Sequence, residues 1–397
     1  MNNLIEKEII KNAQVFLNSN SEFRKNAFAF FEGQGLPAKI TKHISPRFMQ
    51  ESANLRKPLR DQVIDSQAVI YFTDGIFDPK NSTLPAGITI ENASTDSLTN
   101  TFIDSFDALN AVASISPQHI YVAKNVVVST AVTICHTITE MGVNKIVSPR
   151  IQFTAEENSE VSVLEFFTSE QNELFQYTTN SFTQFNLAKN SKVEHVKLNQ
   201  EAKNSLHLGW TVANLDKDAR FNSSMIDLGQ QAATNNLQIN LNNAGAETTA
   251  NSVFTLEKNE TNTIFTTINH KHSHTHSTQL CKGILKDESF GLFNGNIVIA
   301  PDAQEVTSSQ LNKNLLLSKK AHIDTRPQLL VSADDVKCSH GATVGQLSDE
   351  EAFYLESRGI NKTRAKEMLM HGFSHEIIQL IKNNTIRKFC EQRLIQK

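Results

Sequence analysis

Hydrophobic positions repeat with two different periods along this chain, and the change of period divides it. Over residues 4–31, Leu4, Ile5, Ile9, Ile10, Ala13, Phe16 and Leu17 recur at helical spacing, and Ser19–Ser21 punctuates before a second helix rich in Phe and Ala. From Gly33 to about Pro58 no period is clear, and Pro37, Pro46 and Pro58 predict an extended connection. Val69–Phe72 followed by Asp74-Gly75 reads as a strand entering a tight turn. A helix is predicted over Asp96–Ser114, with Asp96 or Ser97 as its cap ahead of Leu98, Phe102, Phe106 and Leu109.

From about Ile115 to Ala333 the pattern becomes one of short alternating runs. They are Ile120–Val128, Lys145–Val147, Val161–Phe167, Lys192–Leu198, Leu206–Ala213, Ala219–Leu228, Leu237–Leu241, Ser252–Leu256, Thr263–Asn269, Gln279–Leu285 and Leu292–Ile299. Runs of this length, with Asn, Gly and Ser at the turns, predict an all-β domain. A sandwich, a barrel and a stacked β-solenoid all fit the pattern. The frequent turn Asn leans towards a solenoid, because Asn tolerates the left-handed conformation of tight corners. After Gly345 the chain reads as helical. Ser348 caps a helix whose first turn, Asp349-Glu350-Glu351, suits the positive helix N-terminus, and Gly359 ends it. Asn361–Met370 forms a second helix stopped near Gly372, and Ser374 caps a third with Ile377, Ile378, Leu380, Ile381, Ile386 and Phe389 as its apolar stripe. Three regions follow: a helical region over 1–114 with a short strand and turn, a β core over 115–333, and a helical domain over 334–397.

A length of 397 residues suits one large core or two to three smaller ones. A formal net charge of -4 with no basic run argues against a nucleic-acid binder. Met1–Glu8 lacks the apolar core of a signal peptide, and no window approaches the roughly 18 apolar residues of a membrane span. A soluble, cytoplasmic protein is expected. Cys135, Cys281, Cys338 and Cys390 form no C-x-x-C pair, which excludes a self-contained zinc ribbon or ferredoxin-type site. They read as reduced thiols, mostly buried, with only Cys338 open to another role. No phosphate-binding loop, nucleophile elbow or dinucleotide fingerprint is present, and no catalytic carboxylates are assigned.

Two constellations carry candidate chemistry. In Val336–Gly345, Cys338 and His340 stand two residues apart, so an extended backbone turns sulfur and nitrogen to one face. Those donors suit iron, zinc or iron–sulfur chemistry, but two are too few for a closed site, so a metal held there needs donors from elsewhere. The second constellation is His270, His272, His274 and His276, which would line one face of a strand and share a divalent cation. A His row in a solvated strand or loop needs no metal, and the structural reading is favoured for it.

The block Asp334-Asp335-Val336-Lys337-Cys338-Ser339-His340-Gly341-Ala342-Thr343-Val344-Gly345, with Phe353-Tyr354-Leu355-Glu356-Ser357-Arg358-Gly359-Ile360 after it, resembles the SufD subunits of the SufBCD iron–sulfur cluster assembly scaffold. The resemblance continues upstream through Lys282-Gly283-Ile284-Leu285, Phe293-Asn294-Gly295, Asn314–Ser318 and Ala321–Leu329, so it covers roughly the C-terminal third. It is patchy in the N-terminal half, where the usual Trp-Lys-Tyr-Thr segment is absent after Gly35-Leu36-Pro37. The sibling SufB carries a Glu-Ala-Thr-Ser type run in place of Cys338–Gly341, and a cysteine in the stretch matching Gln310–Leu315, which has none here. The resemblance implies a right-handed parallel β-helix between helical ends, in a non-catalytic scaffold that pairs with a SufB-like subunit. It places His340, and less firmly Cys338, at that interface beside a nascent cluster shared with the partner. It implies docking of a SufC-like ATPase on the C-terminal helices, with Tyr354, Leu355, Arg358, Met368 and Phe373 as anchors. A homodimer of the isolated chain is compatible with it. Two other readings stay open: a β-helix enzyme acting on polysaccharide, and a His-rich module binding metal through His272, His274 and His276.

Overall fold

The structure of the protein is a computed structural model, and it describes residues 2–18, 21–36, 44–50, 64, 68–93, 102–170 and 175–395. Its centre is a β-solenoid made of two ten-stranded sheets. From Thr178–Leu187 onward, successive strands fall alternately in one sheet and the other, so each coil adds one rung to each. All these rungs pair in parallel and in register, for example Lys192–Gln200 on Glu160–Ser169 and Val306–Leu316 on His276–Leu285. Alternate side chains point inward and pack into one continuous apolar core that includes Val163, Phe185, Phe221, Ile239, Ile268 and Ile297. At the N-terminal end Val69–Thr73 turns through Asp74 and Gly75, both at positive φ, into the antiparallel strand Ile76–Thr83.

The coils share one sharp corner, and its chemistry repeats. Asn125, Asn158, Asn190, Asp218, Gly245, His274 and Glu305 occupy successive turns there, each with φ between 56° and 72°. This is the left-handed region, which Gly, Asn and Asp enter at least cost. Each corner N–H reaches the next coil's carbonyl, as Asn158 to Lys189 (3.1 Å) and His274 to Gln304 (3.0 Å) do. Asn side chains add a second ladder, Asn190 to Asn158 at 2.9 Å and Asn158 to Asn125 at 2.8 Å.

That corner corrects the reading of the His row as one face of a strand. Strand Thr261–His270 ends at His270 and the next begins at His276, so the four residues cross the turn. His270 is fully buried, its ring bonded to Thr275 (2.7 Å) and Ser277 (2.8 Å). His272, His274 and His276 are exposed, and His274, at φ 58°, pairs with Glu305 at 3.3 Å.

At the N-terminus α1 (Asn2–Ala13) and α2 (Glu22–Gln34, capped by Ser21) pack around α3 (Ser105–Ala113). Helix α3 starts later than predicted: Asp104 is its cap, Phe102 lies ahead of it, and Asp96 and Ser97 fall outside the described residues. Buried Arg150 joins it to the solenoid, donating to Asp107 (3.0 Å) and Asn110 (2.9 Å) while its guanidinium lies 3.9 Å from the centre of the Phe182 ring.

At the other end are α4 (Asp349–Ser357), α5 (Lys362–Gln379) and α6 (Asn384–Ile395). Helix α5 runs through both Gly372 and Ser374, so the predicted stop and cap do not occur. Buried Ser374 satisfies its hydroxyl on the Met370 and His371 carbonyls, and Asn383 caps the last helix instead. Ile377, Ile378, Ile381, Ile386, Phe389 and Leu394 bury against Leu164, Phe166, Val196, Leu198 and Ile226 on the outside of the solenoid. The boundary at residue 334 also moves, because Val336–Gly345 is the last strand of the first sheet and not part of the helical region. No helix among the described residues is long and apolar enough to cross a membrane.

Burial, with a smaller contribution from His276, lowers the His270 imidazole from an ordinary 6.5 to about 4. The unfolded chain then binds the proton first, so the stability from neutral His270 is present above about pH 6.5 and lost as pH falls towards 4. The His270→Gln variant lacks that titration. Urea unfolding at pH 7 and pH 5 should show its deficit against the unaltered protein shrinking by about 2 kcal/mol at the lower pH.

Candidate functional site at the open end of the solenoid

The final rung places the Cys-x-His pair. Val336–Gly345 lies parallel on Val306–Leu316, with Cys338 opposite Ser308, His340 opposite Gln310 and Ala342 opposite Asn312. Ser308, Gln310 and Asn312 are buried and face the interior, so Cys338 and His340 stand on the interior side of the sheet. Among the described residues no further strand covers them. Val336–Gly345 is the edge of one sheet and His322–Val331 the edge of the other. The solenoid therefore ends as an open mouth, around which Leu330, Val331 and Val344 are exposed.

Cys338 is half-buried and packs against the main core, while His340 is exposed and makes no hydrogen bond or ion pair among the described residues. Burial pushes the Cys338 thiol up, a backbone hydrogen bond from Ser308 partly offsetting it. The thiol form therefore dominates at neutral pH, and Cys338 is a poor ligand until a metal or partner removes its proton. Among the described residues no three His, Cys, Asp or Glu side chains are grouped to hold a metal ion. The His row forms no such group either.

The expected ATPase anchors divide between two grooves. Tyr354 and Leu355 on α4 line one with Leu369, and Arg358 lies 5.3 Å from the centre of the Tyr354 ring. Phe353 and Tyr354 are the most exposed aromatics there, at 72 % and 57 %. Met368 instead faces a cleft between α5 and the solenoid, with Ile284 and Leu394. Phe373 is half-buried beneath the solenoid's Lys282, whose ammonium lies 4.2 Å from its ring and donates to its carbonyl at 2.8 Å.

One cluster has no counterpart among the predicted residues. Inside the solenoid Glu165 lies between His136 (3.4 Å) and His195 (3.2 Å) and accepts from Thr183 (2.6 Å). Burial raises its carboxyl, but the two imidazoles hold it well below the usual range. Lys197 is buried nearby, its ammonium destabilised by burial and supported by Glu165, Glu201 and Asp227. Buried His207 bonds to Glu201 at 2.7 Å.

Comparison with known proteins decides the family. The model for the SUF system FeS cluster assembly SufBD core domain matches residues 136–373, more than half of the chain. The chain belongs to the SufBD family. It is 36% identical over 241 residues to the iron–sulfur cluster assembly protein SufD of Escherichia coli, covering 61% of this chain and 56% of that protein. A SufBD family protein of Synechocystis is 32% identical, with 59% and 53% covered, and the chloroplastic protein ABCI7 of Arabidopsis thaliana is 28% identical, with 79% and 67% covered. The chain thus spans a little over half the length of the first two relatives. The SufBD match takes in the open mouth, α4 and most of α5, and leaves out the N-terminal helices and α6.

The chain's four thiols differ sharply in access. Cys135 and Cys281 are fully buried and pushed up to about 11 and about 12, and Cys390 is buried and raised further. Alkylation of the native protein followed by peptide mass spectrometry should label Cys338 alone, with its rate rising towards alkaline pH, and the other three only after denaturation.

Proposed function

We propose that this chain is a non-catalytic scaffold subunit for iron–sulfur cluster assembly, working through the open mouth of its solenoid. The observation that carries the reading is the unpaired strand pair that ends the two sheets, with His340 and Cys338 on its inner side. Unpaired N–H and C=O rows are templates for another chain's strands, and exposed Leu330, Val331 and Val344 add apolar area around them. The partner is a SufB-like subunit, a reading supported by membership of the SufBD family and by the likeness to the SufD protein of Escherichia coli. In the isolated chain a second copy of the same mouth can take that place. The nascent cluster is cargo shared across the interface: His340 offers an imidazole nitrogen, Cys338 a sulfur once deprotonated, and the partner the remaining donors. A neutral imidazole is required for this.

A SufC-like ATPase docks on α4 and the facing part of α5 and supplies the energy, since no phosphate-binding loop is present in this sequence. Tyr354, Leu355 and Arg358 are the docking anchors, with Met368 and Phe373 contributing from α5, where Phe373 also holds the helix to the solenoid. The assembly is cytoplasmic.

Two experiments test this. His340→Ala should leave the complex and the partner's ATPase activity intact while iron and acid-labile sulfide, measured on anaerobically purified complex, fall to background. Cys338→Ser should show a milder loss, and normal cluster content with His340→Ala would remove the histidine from the mechanism. For docking, removal of residues 346–397 would strip the apolar face that α5 and α6 bury, so point substitution is the cleaner probe. Tyr354→Ala should weaken ATPase capture by about tenfold or more in a binding titration, at unchanged thermal stability.

A further inference from the structure

Beneath His340 runs a hydrogen-bonded ladder of amides that stops one bond short. Gln279 donates from Nε2 to Thr266 Oγ1 at 2.8 Å, and its Oε1 accepts from Gln310 Nε2 at 2.7 Å. These two bonds fix which way each amide faces. Gln310 is 2 % exposed, and its Oε1 is left as a buried acceptor with no partner. Other buried amide oxygens, those of Asn294, Asn296 and Asn314 among them, share that state, but in the Gln310 column the chain supplies a histidine next. The next side chain in register is His340, one rung on at about 4.8 Å, and its ring nitrogens are unpartnered.

The opposite sheet leaves Gln310 room to do this. A Cβ at Gly295 would fall 2.4 Å from Gln310 Nε2. The absence of a side chain at Gly295 is therefore what allows the Gln310 amide to lie across the interior.

We infer that Gln310 is a positioning residue for His340: its Oε1 accepts the N–H of one imidazole nitrogen and so presents the lone pair of the other outward from the mouth. The inference rests on the reading of His340 as a donor to cargo at the interface. An imidazole that gives one N–H to a fixed acceptor is locked in tautomer and orientation, as metal-binding histidines usually are. The ladder through Gln279 and Thr266 keeps the acceptor from turning away.

The test is the tautomer of His340 in the full chain, labelled with nitrogen-15 at histidine and read by long-range proton–nitrogen correlation in mildly alkaline buffer. The unaltered protein should show one tautomer at His340, and Gln310→Leu should show two in exchange. Gly295→Ala, whose methyl presses on the Gln310 amide and on the Phe293 ring with Gln310 intact, should do the same and carries the test if Gln310→Leu does not fold. A single, unchanged tautomer in folded Gln310→Leu or Gly295→Ala protein overturns the inference. In the complex, both variants should lower iron and sulfide content by about tenfold without loss of the partner. Mixed tautomers with normal cluster content would confirm the hydrogen bond and overturn the donor role given to His340.

Discussion

The structure depends on one constraint: a parallel in-register ladder satisfies every backbone group of a coil only by way of the next coil. Interior rungs meet it on both sides, so their N–H and C=O rows are paired and their inward side chains are covered. The rung Val336–Gly345 meets it on one side only. The burial pattern shows the consequence directly. Gln310 and Asn312 are sealed, whereas His340 and Ala342, one rung later in the same columns, are exposed. A histidine that would be a satisfied core group in any earlier coil becomes an unpartnered donor because the ladder stops there.

The corner sets the spacing of everything else. Each coil returns through a left-handed residue, and a non-glycine side chain there carries some strain. Asn and Asp accept it most readily, which explains Asn125, Asn158, Asn190 and Asp218. His274 holds the same place in its coil, so the histidines around it record a turn and not a metal row. His270, four residues earlier, is a neutral core group whose two ring nitrogens are taken by Thr275 and Ser277.

Much of the fold was legible in the residues because solenoid strands with an apolar interior show simple alternation. Lys192–Leu198, Leu206–Ala213 and Leu292–Ile299 lie within strands the structure forms. Val306–Leu316 escaped the pattern for a physical reason: after Val306 its interior positions are Ser308, Gln310, Asn312 and Asn314, so the buried face is polar while Leu311 and Leu315 lie on the other. The same property hid the Glu165, His195 and Lys197 cluster, since alternation marks two faces without saying which is inside. The Cys338 and His340 pair was legible because i and i+2 share a face in any strand. Its place at an uncovered edge was not, for that depends on where the coils end. Helix α5 misled at Gly372 and Ser374, where tertiary burial of Ile377 and Ile378 outweighs the weak local preference to stop.

The two candidate surfaces share a single sheet. On its inner side the column Gln279, Gln310, His340 leads to the mouth. Its outer side is held to α5 by Lys282, which is paired with Glu376 and the Phe373 carbonyl and lies two rungs from Thr343 on the terminal strand. Lys282 is almost wholly buried while Glu376 is half exposed. Such a pair adds little net stability against a well-packed apolar contact, because desolvating the ammonium offsets much of the attraction. What it does fix is geometry. The ammonium, ring and carbonyl hold one turn of α5 over one strand, so that the helix carrying Met368 and Phe373 cannot slide along the sheet without breaking a buried charge from its partners. Hydrogen bonds in register pass that fixed position to Val306–Leu316 and then to Val336–Gly345, the strand on which His340 sits.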